Sequence, residues 1–97
     1  MEKIKITQVQ FIPCHPDGTF LGFANIIIDG WLELNGIGVH AVKTGIDIKE
    51  PARKLKNETL KFYFKIHNDE IKEEIRAAVE ENLYEVGFFG AKIIKEE

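Results

Sequence analysis

Residues 20–42, FLGFANIIIDGWLELNGIGVHAV, decide the fold of this chain. Apolar residues and β-branched residues fill both halves of this stretch, and Asp29-Gly30 stands between the halves. A two-residue connection of this kind favours a tight hairpin, because its turn residues must adopt positive φ angles. The sequence therefore predicts two antiparallel strands, at residues 20–28 and 31–42.

On the N-terminal side, residues 4–12 form another run typical of a strand, but its alternation changes phase midway. Ile4 and Ile6 share one face, whereas Val9 falls on the other. Either a β-bulge or a strand buried on both faces would explain the change. The prolines, aspartate and glycine of residues 13–18 predict a turn after this strand.

On the C-terminal side, Gly36 and Gly38 interrupt the third strand and indicate a bend or a close backbone approach. A short strand is predicted at residues 46–48. Residues 52–58 are polar and favour an exposed loop. Residues 60–66, LKFYFKI, alternate between apolar and polar positions and predict a final strand.

The apolar period changes after residue 68. Asn68 is a suitable N-cap, and apolar residues then recur every three or four positions, as on one face of an α-helix. These apolar residues are Ile71, Ile75, Ala78, Val79 and Leu83. We expect a helix over about residues 69–84, stopped by Gly87, with residues 85–97 as a C-terminal extension.

Runs of strands followed by one helix are typical of the α+β class. We predict an antiparallel sheet of about five strands, within residues 3–66, followed by one C-terminal amphipathic helix. The length of 97 residues predicts a single domain spanning residues 1–97.

Several classes of function are disfavoured by composition. No apolar run reaches the roughly 18–20 residues of a membrane span, and the start of the chain does not resemble a signal peptide, so we expect a cytoplasmic protein without a membrane partner. Cys14 and His15 are neighbours in an extended segment and point to opposite faces, which does not suit a nucleophile and its base. With no catalytic or metal-binding motif in the chain, we expect a protein that is not an enzyme and holds no cofactor or metal.

Positive charge is concentrated in the middle of the chain. Residues 43–66 contain seven Lys or Arg and three Asp or Glu, although the whole chain has a formal charge of −3. These cations, beside a strand that carries Tyr63, could contact phosphates and stack on bases. The alternative is the scattering of Lys and Arg that any soluble surface carries. The candidate nucleic-acid-binding residues are Lys49, Arg53, Lys54, Lys56, Lys61 and Lys65.

No single motif in the chain identifies a family, but several segments in a fixed order resemble one when they are taken together. The segments are Ile6-Thr7-Gln8-Val9, Phe23-Ala-Asn-Ile-Ile-Ile-Asp29, Gly36-Ile-Gly-Val39, Gly45-Ile-Asp-Ile-Lys-Glu-Pro-Ala-Arg-Lys54, Ile66-His-Asn68 and residues 70–79. In this order the chain resembles the SpoVG family (stage V sporulation protein G, the septation regulator of bacteria) over about residues 4–83. The fourth segment is similar to the family's Gly-hydrophobic-x-x-x-Pro-Ser-Lys-Arg stretch.

The resemblance implies a small α+β homodimer that acts as a non-enzymatic regulator associated with septation, cell division and sporulation control. Some members of the family bind DNA or RNA, and by position the family's basic stretch corresponds to Arg53 and Lys54. The chain departs from the family in Ala52, which replaces a serine, and in its acidic helix and its end, which lacks a basic tail.

A second hypothesis is a protein-protein interaction module without nucleic-acid binding. It would use the acidic helix and the aromatic C-terminal segment that contains Phe88-Phe89. That segment and Ile93-Ile94 would form either a dimer contact or part of the monomer core. The expected partners are thus a second copy of the chain, DNA or RNA, or a partner protein.

Overall fold

The computed structural model describes residues 4–85, apart from the side chains of residues 15–17. Six strands and one helix follow one another in this part of the chain, which confirms the predicted α+β class. They are β1 (Ile6–Asp17), β2 (Phe20–Ile28), β3 (Leu32–Val42), β4 (Gly45–Lys49), β5 (Ala52–Lys54), β6 (Leu60–Phe62) and α1 (Asp69–Glu85). The predicted stop at Gly87, the pairs Phe88-Phe89 and Ile93-Ile94 and the rest of residues 86–97 lie outside the described residues.

The strands form two separate sheets rather than one sheet of about five strands. The first four strands make an antiparallel sheet in the order β1-β2-β3-β4, and β5 pairs with β6 alone. The segment predicted as a loop at residues 52–58 thus contributes a strand. Its turn is closed by hydrogen bonds from the Leu55 N–H to the Thr59 carbonyl (2.8 Å) and from the Glu58 N–H to the Leu55 carbonyl (3.0 Å).

The predicted final strand at residues 60–66 is shorter than expected, since β6 stops at Phe62. After β6 the Tyr63 N–H donates to the Pro51 carbonyl at 2.9 Å, and the chain then turns towards the helix. Phe64 and Ile66 pack against the core, whereas Leu60 is 57% exposed. The apolar residues of this segment therefore divide between the core and the solvent.

The hairpin predicted at Asp29-Gly30 is confirmed, but its connection has three residues rather than two, because Ile28 pairs with Leu32. Asp29 and Gly30 have positive φ angles, 54° and 76°, and the Trp31 N–H donates to the Ile28 carbonyl at 3.1 Å. This is the geometry that matches the right-handed twist of the flanking strands. The third strand begins at Leu32, one residue later than predicted.

The change of phase in the first strand is a β-bulge at Thr7. Ile6 pairs with Ile28 and Gln8 pairs with Ile27, so Thr7 is the extra residue. Its hydroxyl donates to the Ile27 carbonyl at 3.1 Å and accepts the Gly30 N–H at 3.2 Å. Of the two explanations that the sequence left open, the structure supports the bulge.

Of the turn predicted at residues 13–18, Gly18 is confirmed as a turn residue with a φ of 65°, but the strand does not stop at Pro13. β1 continues to Asp17, with a second irregularity in its register after Pro13, and the chain turns at Gly18 and Thr19. Among the described strands, β1 lies at the edge of the sheet and pairs on one side only. Proline is tolerated in an edge strand because no ladder bond needs its missing N–H.

The bend predicted in the third strand is confirmed at Gly36. The register slips between Ala24 and Ile26 of β2, so β3 has an extra residue there, and Gly36 has a φ of 81°. Its N–H donates to Asn25 Oδ1 at 2.9 Å. Glycine reaches this conformation without the steric cost that a side chain would bring.

The helix packs on one face of the four-stranded sheet. Asn68 Oδ1 accepts the Ile71 N–H at 3.0 Å, which confirms the N-cap. The predicted apolar face is buried at Ile75, Val79 and Leu83, together with one face of β2, β3 and β4. Within residues 4–85, no helix combines the length and the apolar character needed to cross a membrane.

Candidate nucleic-acid interface

Residues 52–62, comprising β5, its turn and β6, form a small unit that we call the basic hairpin. The chain segments on either side of it are linked by Glu50, whose side chain is only 8% exposed. Glu50 Oε2 accepts the Ile66 N–H at 3.1 Å, and Oε1 lies 3.1 Å from Lys72 Nζ on the helix. One carboxylate therefore joins the segments that flank the hairpin to each other and to α1.

The environment of Glu50 favours its ionised form. Burial by itself would raise the pKa of this carboxyl group, but hydrogen bonds from the N–H groups of Ile66 and Glu50 itself, and from Lys72, outweigh burial and hold the pKa below its ordinary value. Glu50 is thus a charged link, and its strength depends on pH.

Two cations lie side by side on one face of the basic hairpin. Arg53 is directly opposite Lys61 in the register of β5 and β6, so the side chains share a face. Both residues are exposed. In the part of the chain that the structure describes, neither has an ion-pair partner. This face therefore presents uncompensated positive charge.

The opposite face of the hairpin is more neutral. Lys54 lies there, and its ammonium group is 3.4 Å from Glu58 Oε1. Phe62 is on the same face, and Lys65 Nζ lies 4.6 Å from the centroid of its ring, within cation–π range. Lys54 and Lys65 thus have partners within the protein.

The remaining two candidate residues lie at the ends of the region. Lys56 is exposed in the turn between β5 and β6. Lys49 ends β4, where it pairs with Gly38 of β3. All six candidates are exposed, but the structure brings only Arg53 and Lys61 into direct opposition.

The sequence interpretation missed an aromatic cluster on the sheet face that is turned away from α1, which we call the outer face. The ring centroids of Phe20 and Phe23 are 5.1 Å apart at 70°, and those of Phe20 and His40 are 5.3 Å apart. Phe23 remains 40% exposed. The alternation of side chains along β2 could have indicated this cluster. Phe23 precedes the buried Ala24, so its side chain lies on the opposite face of the sheet.

Two of the seven acidic residues of α1 are paired with an arginine on the same helix. Arg76 donates to Glu73 Oε2 at 2.7 Å and to Glu80 Oε1 at 2.9 Å. These bonds lower the pKa of Glu73 and raise that of Arg76. Among the described residues, no group of His, Cys, Asp or Glu side chains is placed to hold a metal ion.

Comparison with protein-family models gives no match, and comparison with curated proteins gives none. The resemblance to the SpoVG family stays a prediction. We therefore infer the function of the protein from the geometry of the basic hairpin.

Proposed function

We propose that this protein is a SpoVG-like, non-enzymatic regulator that binds nucleic acid through the basic hairpin and acts as a homodimer. The observation that carries the proposal is the pair of exposed cations, Arg53 and Lys61, directly opposite each other. Like charges at such positions destabilise a pair of strands. A phosphate group between them would remove that repulsion and bind two cations at once.

The position of the hairpin suits this role. Outside its own pairing it makes little contact with the other strands or the helix. Arg53 adds a planar guanidinium, which can donate two parallel hydrogen bonds to a phosphate. A polyanion can therefore approach the charged face without disturbing the core.

The resemblance to the SpoVG family points to the same region. The segment that is similar to the family's basic stretch runs from Gly45 to Lys54, and so spans β4 and β5. The role in septation and sporulation control comes from this resemblance alone.

Self-association is supported by the open edges of the main sheet. β1 and β4 are its two edge strands, and β1 is 12 residues long. An edge strand carries backbone N–H and C=O groups that have no partner on one side, and a second copy of the chain can pair with them.

The test is charge reversal with a matched control. We compare Arg53→Glu/Lys61→Glu with Lys5→Glu/Lys43→Glu, which changes the net charge equally at exposed sites outside the hairpin. Binding to short duplex DNA and to single-stranded RNA is measured by fluorescence anisotropy between about 50 and 200 mM salt. The hairpin variant is expected to lose most of the affinity and to lower the log–log salt slope by roughly 1.4–1.8, as two lost phosphate contacts would.

Two results would reject the proposal. If the folded wild-type protein binds neither nucleic acid at about 50 mM salt, nucleic acid is not its ligand. The second hypothesis, a protein-interaction module, would then be preferred. If both double variants lose affinity equally, binding follows net charge and the hairpin is not the interface.

A further inference from the structure

We infer that the nucleic acid bound by this protein is single-stranded, and that its unpaired bases stack on Phe23 of the outer face while the basic hairpin holds its backbone. This inference rests on the proposed function and adds to it the class of ligand and a second contact surface. It is carried by the aromatic cluster, by the exposure of Phe23 within it and by the position of Lys49.

Four residues form a row across the outer face, one from each strand. Ile12 pairs with Phe23, Phe23 with Gly38, and Gly38 with Lys49. Gly38 has no side chain and is buried. A Cβ atom at Gly38 would lie 3.6 Å from His40 Nε2, 3.7 Å from the Lys49 carbonyl oxygen and 3.9 Å from Lys49 Cβ, so His40 and Lys49 cover the glycine.

Phe23 is held in place although it is exposed. Phe20 packs against it in an edge-to-face arrangement, and Phe20 in turn contacts His40. Phe23 is 40% exposed on a central strand, so a planar ligand can reach its ring. Bases stack on such rings with little regard to sequence, because every base has a π-face.

The row leads directly to the basic hairpin. Lys49 is the last residue of β4, and only Glu50 and Pro51 separate it from β5. Since neighbouring strands lie about 4.8 Å apart, the backbone of Lys49 is roughly 10 Å from that of Phe23. One strand of nucleic acid can therefore place a base on Phe23 and its next phosphates beside Lys49 and the hairpin.

The same geometry disfavours a duplex as the preferred ligand. In a double helix the bases are stacked on one another, and their faces cannot reach a protein ring. Within residues 4–85, the outer face is a sheet surface from which no helix projects that could enter a groove. A duplex would use only the charges of the hairpin.

The experiment separates base stacking from phosphate contact. The probes are a labelled oligothymidylate of about 12 nucleotides, an abasic oligomer of the same length and a duplex of the same length, with oligouridylate added to compare RNA with DNA. The protein variants are Phe23→Leu, which keeps an apolar side chain but removes the ring, and Phe23→Tyr, which keeps the ring. Trp31→Leu is the control, because Trp31 is an exposed aromatic residue (77%) in the β2–β3 turn.

We expect the wild-type protein to bind the oligothymidylate about tenfold more tightly than the abasic oligomer, as loss of one stacked base would give. Phe23→Leu should abolish this preference and leave both the abasic affinity and the salt slope unchanged. Phe23→Tyr and Trp31→Leu should retain the preference. Thermal unfolding of each variant shows whether it is folded.

The outcomes that overturn the inference differ from those that reject the proposed function. Equal affinity for the oligothymidylate and the abasic oligomer means that only phosphates are bound, so the inference fails and the proposed function remains. If Phe23→Leu weakens self-association in sedimentation but keeps the preference for bases, the outer face is a contact between copies and the inference also fails. Absence of binding to every probe rejects both.

Discussion

The body formed by the four-stranded sheet and α1 differs sharply from the basic hairpin in how it is stabilised. The body buries ten apolar side chains, and no polar or charged residue is fully buried among the described residues. In the hairpin every residue is exposed or half-buried. The body therefore supplies the stability of the fold, while most side chains of the hairpin are exposed to solvent.

The largest expected effect is on the free energy of unfolding, when leucine is replaced by alanine once in the body and once in the hairpin. Leu83 is completely buried on α1, whereas Leu60 is 57% exposed in β6. Leu83→Ala should lower the free energy of unfolding by about 2–5 kcal/mol, because it removes buried methyl groups and leaves a cavity. Leu60→Ala should change it by no more than about 0.5 kcal/mol. Urea denaturation of both variants measures the difference.

Equal losses for the two leucines would contradict the division between body and hairpin. They would mean that the hairpin is part of the same cooperative core. If Leu60→Ala instead lowers the free energy of unfolding strongly only when the protein self-associates, Leu60 lies in a contact between copies. Sedimentation would then show weaker self-association of the variant.

A smaller effect is expected at the link between the two regions. Glu50→Gln keeps the size of the side chain but removes the charge that binds Lys72, and should cost about 1–3 kcal/mol near neutral pH. The matched control is Glu58→Gln, which breaks the exposed pair with Lys54 and should cost at most about 1 kcal/mol.

The pH dependence follows from the lowered pKa of Glu50. Its contribution to stability is complete above the ordinary value of 4.5 and is lost as the pH falls through the lower value of the folded state. The wild-type protein should therefore exceed Glu50→Gln in stability above about pH 4.5 and approach it in more acidic buffer. A difference that is constant between pH 7 and pH 3 would show that the charge of Glu50 is not what stabilises the link.

Local signals allowed most of the body to be predicted from the sequence. Asp29-Gly30 can adopt positive φ angles without any tertiary help, and the apolar period of the helix is visible in α1 alone. The phase change in β1 indicated either a bulge or a strand buried on both faces, and the register of β1 and β2 decides for the bulge.

The hairpin and the detail of the site could not be predicted in this way. β5 is three residues long, with the sequence Ala-Arg-Lys, which has no β-branched residue, so its strand conformation depends on pairing with β6. Composition identified the six cations, but only the register of β5 and β6 shows that Lys61, rather than Lys54, is the neighbour of Arg53. The predicted turn is confirmed at Gly18 but not from residue 13 onwards, because an edge strand tolerates proline.

The smallest expected effect is in the hairpin itself, where one substitution should stabilise the strand pairing but weaken the binding of nucleic acid. Lys61→Glu replaces a like-charge pair with an opposite-charge pair and should stabilise the pairing of β5 and β6 by roughly 0.2–1 kcal/mol. Hydrogen exchange of the Leu55 and Tyr63 amides, which donate to the Thr59 and Pro51 carbonyls, should therefore slow in low salt. The gain should fade at about 1 M salt, where the screening length is about 3 Å.

Lys56→Glu is the matched control for this last comparison, because Lys56 lies in the turn and has no partner across the strands. It should leave the exchange of both amides unchanged. If Lys61→Glu does not slow exchange, the two cations do not repel each other across the hairpin, and the reason for expecting an anion between them is lost. If exchange slows while affinity for nucleic acid falls, the hairpin retains a destabilising pair of cations because the pair binds the ligand.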